Sequence, residues 1–292
     1  MRYSIVACAF FAVSVAAFGQ NLIVTAESRH GQAPPEVTRD DVSADVNRHP
    51  ARITAWVPLR GDQAALDLYI VIDDGENTDL GIQFRSLKAF MNRQPATTRV
   101  GLAYLRNGSA TVVAPLSADR AQVAKALRLP LGEAGIAASP YMGISDLVKK
   151  WPADGARHEV LLISSGLDPY SPRDPQNPYL LTAIADAQRG GVLVHSIYYG
   201  RDGARLNWGQ NYLSELGDET GGEAYWQSTR VSFDTYLDDL NQRLQNQYLL
   251  TLVPEETKEP TKSGLEPVRV NAAGSRVSLK SASKVNLQRT LD

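Results

Sequence analysis

Apolar positions along this chain follow two rhythms. Between residues 66 and 247, short uninterrupted apolar runs alternate with stretches whose apolar residues recur every three or four positions. "LDLYIVID" (66–73), "HEVLLISSG" (158–166) and "VLVHSIYYG" (192–200) are runs of the first kind. Such continuous runs suit strands whose two faces are both covered, as in a parallel sheet. The second rhythm predicts helices. Leu80, Phe84, Leu87 and Met91 form one stripe, Tyr141, Ile144, Val148 and Trp151 a second, and Leu237, Leu240, Leu244 and Tyr248 a third. Further helices are predicted over 118–128, over 178–189 with Gly190-Gly191 as C-cap, and over "NYLSELGDETGG" (211–222) ahead of a strand in "EAYWQ". In "TRVGLAYLRNGSATVVAPL" (98–116) two β-rich runs flank Asn107-Gly108, a dipeptide suited to a hairpin whose turn residues both need positive φ.

Outside that span the pieces look purely β: "NLIVTA" and "ARITAWVPL" before it, "QYLLTLVPEE", "EPVRVNA" and "SRVSLKSASKVNL" after it. The expected architecture is α/β, a doubly wound, mostly parallel sheet in residues 66–247. A small β-rich module is expected from segments 20–65 and 248–292, its two terminal parts pairing in one sheet. Ligands of doubly wound sheets bind beyond the C-terminal strand ends, and "LYIVIDDGENTD" delivers its acids to one such end.

The leader changes the compartment. "MRYSIVACAFFAVSVAAFGQ" has Arg2, an apolar run and small residues at Ala17 and Gly19, which predicts a signal peptide over 1–19 with cleavage before Gln20. The product is expected to be exported, periplasmic or secreted, with no transmembrane segment in the mature chain. The single cysteine, Cys8, lies in that leader, so disulfides, a thiolate nucleophile and cysteine-bound metal are not expected. Thirty basic and thirty-two acidic residues give a net charge of −2 without a basic stripe, and no nucleic-acid partner is expected. With 292 residues and 43% hydrophobic content, the chain can bury a substantial core.

A strand ending in Asp73, a polar loop, an amphipathic helix, the NG hairpin and the later "EVLLISSG" together resemble a von Willebrand factor type A domain. More narrowly they resemble the exported bacterial VWFA-related group, over roughly residues 66–247. The resemblance implies a metal-ion-dependent adhesion site built from Asp-x-Ser-x-Ser, a later Thr and an Asp after the fourth strand. Those oxygens would hold Mg²⁺ (or Mn²⁺), whose last ligand is an acidic group of the partner protein. In this sequence Asp73 matches the first acid, but Gly75 and Asn77 stand where the serines would be. A frame shifted by one residue offers Asp74, Glu76 and Thr78. Ser139 takes the place of Thr, and Ser165 the place of the second Asp, with Asp168 three residues beyond. The site is therefore expected to be degenerate and binding metal-independent. Asp73 and Asp74 are then expected to cap the following helix.

Enzyme signatures are missing. "ISSGL" lacks the leading glycine of a nucleophile elbow, no strand is followed by a phosphate loop, and no two histidines have zinc-site spacing. His195 is expected to be buried and structural, His158 exposed. Two loops at the predicted rim look made for contact: "GLDPYSPRDPQNPY" with Tyr170 and Arg173, and "YGRDGARLNWGQNY" with Arg205, Trp208 and Tyr212. Local packing of Trp208 is the competing account. The expectation is a non-catalytic module that binds another protein through these loops and Asp74. Mg²⁺-dependent adhesion through a variant site is the first alternative, a cell-envelope hydrolase the second.

Overall fold

The structure is a computed structural model. It describes residues 19–28, 36–132, 139–152, 155–171, 176–200, 208–226, 231–255, 262–274 and 276–287. Residues 1–18, where the signal peptide is expected, and Arg173 and Arg205 lie outside the described residues.

One sheet has six strands: β4 (Leu66–Asp73), β5 (Thr98–Arg106), β6 (Ser109–Ser117), β7 (Arg157–Ser164), β8 (Val192–Tyr198) and β9 (Ala224–Trp226). Their order is β6-β5-β4-β7-β8-β9, parallel except for the hairpin strand β6. At the centre, Ile70 lies between Leu102 on β5 and Leu161 on β7. All eight residues of β4 are buried, the reason its sequence is apolar without alternation. Asn107 and Gly108 turn the hairpin with φ of 51° and 73°.

Helices cover both faces. Leu66, Leu68, Ile70 and Ile72 pack under α1 (Phe84–Asn92) and α6 (Phe233–Gln245), together with Leu87, Phe90, Leu237 and Leu240. Tyr69 and Val71 point the other way, toward α3 (Pro140–Lys149), α4 (Pro178–Gly190) and α5 (Trp208–Thr220). Each fully buried Leu or Ile contributes about 1.5–3 kcal/mol, so this double packing dominates the fold. Local chemistry sets the helix ends. Pro140 and Pro178 occupy first turns, where a missing N–H costs nothing, and Gly191 closes α4 at φ 62°.

Segments 118–128 and 78–91 are shorter helices than the periodicity predicts. The first yields only α2 (Arg120–Lys125). In the second, residues Thr78–Gln83 form 3₁₀ turns and α-geometry begins at Phe84. Trp151 lies just past the end of α3.

The second sheet is the larger correction. It is not a small module: seven antiparallel strands run in the order β12-β1-β10-β3-β2-β11-β13. They are β1 (Gln20–Ser28), β2 (Val42–Val46), β3 (His49–Pro58), β10 (Gln247–Pro254), β11 (Leu265–Ala272), β12 (Val277–Ser281) and β13 (Lys284–Asn286). The terminal pieces share it, since β1 pairs with both β10 and β12 and β11 pairs with β2. Strand β2 comes from "VSADV", whose polar appearance hides Ala44 and Val46 on the buried face.

Ion pairs close the seam between the sheets. Arg243 of α6 reaches Glu27 of β1, Glu223 and Asp239, while Lys280 of β12 reaches Asp218 and Glu223. Arg157 at the start of β7 donates to the Leu244 carbonyl at 2.8 Å. No helix among the described residues is long and apolar enough to cross a membrane.

Candidate functional site

The chain leaves the C-terminal end of β4 at Asp73 and immediately turns. The Asp73 carboxylate accepts the Gly75 N–H at 3.0 Å and the Ser164 hydroxyl at 2.9 Å. Ser164 in turn accepts the Gly166 N–H at 2.9 Å, so the ends of β4 and β7 are tied together. Glu76 then reaches across the same gap, and its carboxylate accepts the backbone N–H of Ser165.

Both carboxyls are buried, and no ion pair among the described residues reaches either. Burial pushes Asp73 up to about 6, against the lowering effect of its hydrogen bonds. Burial, reinforced by the Asp73 charge, pushes Glu76 up to about 8. The pair therefore retains a proton around neutral pH.

Asp74 belongs to a different arrangement. Fully buried, it receives both Nη1 and Nη2 of Arg128 at 2.6 and 2.7 Å, a bidentate pair. The guanidinium lies 3.8 Å from the Tyr104 ring centroid. The Tyr104 hydroxyl donates to the Arg128 carbonyl and accepts the Arg128 N–H. The Asp74 carbonyl accepts the N–H groups of Leu131 and Gly132 at 3.1 and 3.0 Å, so residues 128–132 lie against this corner. Neither Asp73 nor Asp74 caps a helix; the cap is Asn77, whose side chain accepts the Asp79 N–H. An aspartate two residues from a tight turn finds its own backbone before it can reach a later helix.

A third cluster holds the residues just after β7. Asp168 is fully buried and accepts the Ser139 hydroxyl at 2.6 Å, the Asn177 amide at 2.9 Å and the Tyr170 N–H at 2.9 Å. The Tyr141 hydroxyl donates to the Gly166 carbonyl at 2.7 Å. Gly166 and Gly209 permit the closest approach: an ideal Cβ on Gly209 would lie 2.1 Å from the Ser165 carbonyl oxygen.

The family-type metal centre can be tested against these donors. Gly75 has no side chain, and the Asn77 oxygen is engaged as a cap. Ser139 and Asp168 bond to each other, both oxygens of Asp73 are engaged, and Asp74 is sealed by Arg128. Among the described residues no three His, Cys, Asp or Glu side chains are placed to hold a metal. The residues do not fit a family-type centre.

The contact residues divide. Tyr170 stands exposed, and Trp208 is partly buried, stacked on Tyr212 at 6.1 Å. Tyr212 itself is buried and donates to the Ser171 carbonyl, so it and Asp74 are corrected from contact residues to internal ones. His195 is buried against Glu159 at 2.7 Å and accepts the Glu223 N–H. His158 is buried too, stacked on Trp151 at 4.7 Å, because the start of β7 lies under the α3 terminus and not at a free edge. The sequence offers Glu76 only within a shifted frame, and no motif in it marks Ser164, Arg128 or Asn177.

No family model matches the sequence, and no curated protein does. Solved von Willebrand type A domains are among the structures this chain is similar to. One, von Willebrand factor type A from Catenulispora acidiphila, has 12% identity and a TM-score of 0.49, covering 93% of this chain and 74% of its own. The conserved hypothetical protein BatB from Bacteroides thetaiotaomicron has 12% identity and a TM-score of 0.47, covering 61% and 97%. Proximal thread matrix protein 1 from the mussel byssus, whose MIDAS motif is zinc-occupied, has 15% identity and a TM-score of 0.45, covering 70% and 50%.

Proposed function

We propose that this chain is an exported, non-catalytic protein-recognition module that binds through the rim of its parallel sheet without a metal ion. The observation that carries this reading is the internal consumption of the rim's polar groups. Asp73, Asp74, Ser139 and Asp168 spend their side-chain oxygens on bonds within the chain, and one Glu76 oxygen accepts the Ser165 N–H. Among the described residues of the rim, Tyr170 stands outward and suits contact. The leader predicted over 1–19 supports action in the envelope or outside the cell.

Melting the mature protein in EDTA, Mg²⁺ and Mn²⁺, with calorimetric titration alongside, tests it. The same melting temperature in all three and no heat are expected. An ion bound only by the folded state would add about 2.7 kcal/mol at a hundredfold excess over its Kd. A clear shift lost in Asp73→Ala would overturn metal independence and favour adhesion through a variant site.

A further inference from the structure

We propose that an extended segment of a partner polypeptide adds as a strand to an open edge of β1, at the end of the parallel sheet opposite the rim. The site uses none of the rim residues and stands or falls separately from them.

Strand β1 is paired unequally. On one edge its residues from Gln20 to Thr25 pair with β10. On the other edge β12 pairs only with the residues from Val24 to Ser28. The second ladder stops at Val24 because the chain leaves it. Ala282 bridges to Thr220, the Ser283 N–H donates to the Glu219 carbonyl at 3.1 Å, and the Ser283 carbonyl accepts the Val268 N–H at 2.9 Å. Lys284–Asn286 then pair with β11 as β13. The result is a fork, and among the described residues no backbone group bonds to Gln20–Ile23 on this edge. Both arms of the fork line one cleft of about 660 Å³, which Gly155, Gly191 and Val192 also line. An ideal Cβ on Gly155 or Gly191 would meet no atom within 4 Å, so the cleft is open at both.

The spacing of the open groups selects the occupant. The Ala26 N–H donates to the Asn246 carbonyl, just before β10, at 2.9 Å. Antiparallel alternation therefore turns Val24 and Leu22 toward β10, and turns the N–H and C=O groups of Ile23 and Asn21 away from it. Those groups repeat at the two-residue period of a strand, which the main chain of an extended segment matches. Because β10 holds β1 along this length, the edge is ordered before a partner arrives. A cleft with two banks admits a single strand but not the edge of a second copy's sheet. Charge adds no preference among the described residues that line the cleft. Arg189 is paired with Asp186, Arg157 donates to the Leu244 carbonyl and His158 stacks on Trp151, which leaves Lys284 and Asp62, one of each sign. Recognition is therefore of the main chain, tolerant of side-chain sequence.

Panning a phage-displayed library of random dodecamer peptides against the full mature chain, then titrating the synthesised peptides by calorimetry, tests this. Expected are peptides without a charge consensus. Their affinity should fall at least tenfold when alternate backbone nitrogens of one short run are methylated, and stay unchanged when the intervening ones are. Asn21→Pro removes a donor that faces the cleft but no backbone bond to β10, at the cost of one exposed side-chain bond from Thr251. It should melt close to the parent and bind at least tenfold more weakly. If it does not fold, Ala65→Trp, at an exposed position on the cleft, serves by filling it. Failure to enrich any peptide, binding indifferent to the variant, or no alternation on methylation would overturn strand addition. Peptides that bind only after residues 288–292 are removed would assign the cleft to the chain's own end and overturn a separate partner.

Discussion

Glu76 accepts the backbone N–H of Ser165 across the gap between β4 and β7, so a carboxyl from one strand end bridges to the backbone of the other. The cost is a second buried carboxyl beside Asp73.

That cost has a pH signature. Both groups titrate above their ordinary values, Asp73 near 6 and Glu76 near 8, so the folded state holds protons that the unfolded chain has released. Stability then falls as pH rises from about 4, where the unfolded carboxyls ionise, to about 8. The melting temperature should decline across that window, and Glu76→Gln should flatten the decline. A parent protein equally stable at pH 5 and pH 8 would count against the buried pair.

Asp74 and Arg128 behave oppositely. Removing the guanidinium leaves a fully buried carboxylate without its cation, whereas removing both charges leaves nothing unpaired. Because Arg128 is itself partly exposed, Arg128→Ala should cost about 2–3 kcal/mol, below the range for a wholly buried pair. Asp74→Asn with Arg128→Met should recover most of the loss. Urea denaturation of the two variants decides it; an additive double variant would mean that the pair is not coupled.

The sequence carried the central sheet well. β4, β7 and β8 were legible because strands covered on both faces leave no polar positions to confuse the period, and Asn107-Gly108 marked the hairpin by turn chemistry alone. The second sheet was legible only in pieces: Val24 faces Tyr248 on one side and Ser281 on the other, partners more than two hundred residues away. The site was least legible. Whether Asp74 meets solvent, metal or Arg128 depends on where residues 128–132 fold back, and no local periodicity encodes that. Tyr212 failed as a contact residue for a similar reason: a tyrosine at a loop end looks the same in sequence whether its ring faces outward or inward.

Gly209 offers a test of how closely α5 must approach the rim. Its ideal Cβ would fall 2.1 Å from the Ser165 carbonyl oxygen and 2.8 Å from backbone atoms of Gly166 and Leu167. Backbone on both sides leaves nothing flexible to yield. Gly209→Ala should destabilise the fold by about 3 kcal/mol or more, within the range for overpacked sites. It should also loosen the Glu76–Ser165 bond, visible as faster amide exchange at Ser165. Parent-like stability and exchange would show that α5 is not held this tightly.

The C-terminal segment supplies three strands of the seven-stranded sheet. Deleting residues 256–292 removes β11, β12 and β13, which cover β2 and the outer edge of β1. It strips Val268, Val270, Val277 and Val285 from the packed face and Lys280 from its pairs with Asp218 and Glu223. Four buried valines at about 1.5–3 kcal/mol each rival the 5–15 kcal/mol that typically stabilises a whole domain. The truncated chain should therefore melt at least 10 °C lower or fail to fold, even though its six-stranded sheet is complete in sequence. If it melts with the parent, the parallel domain stands alone and the seven-stranded sheet is an appendage.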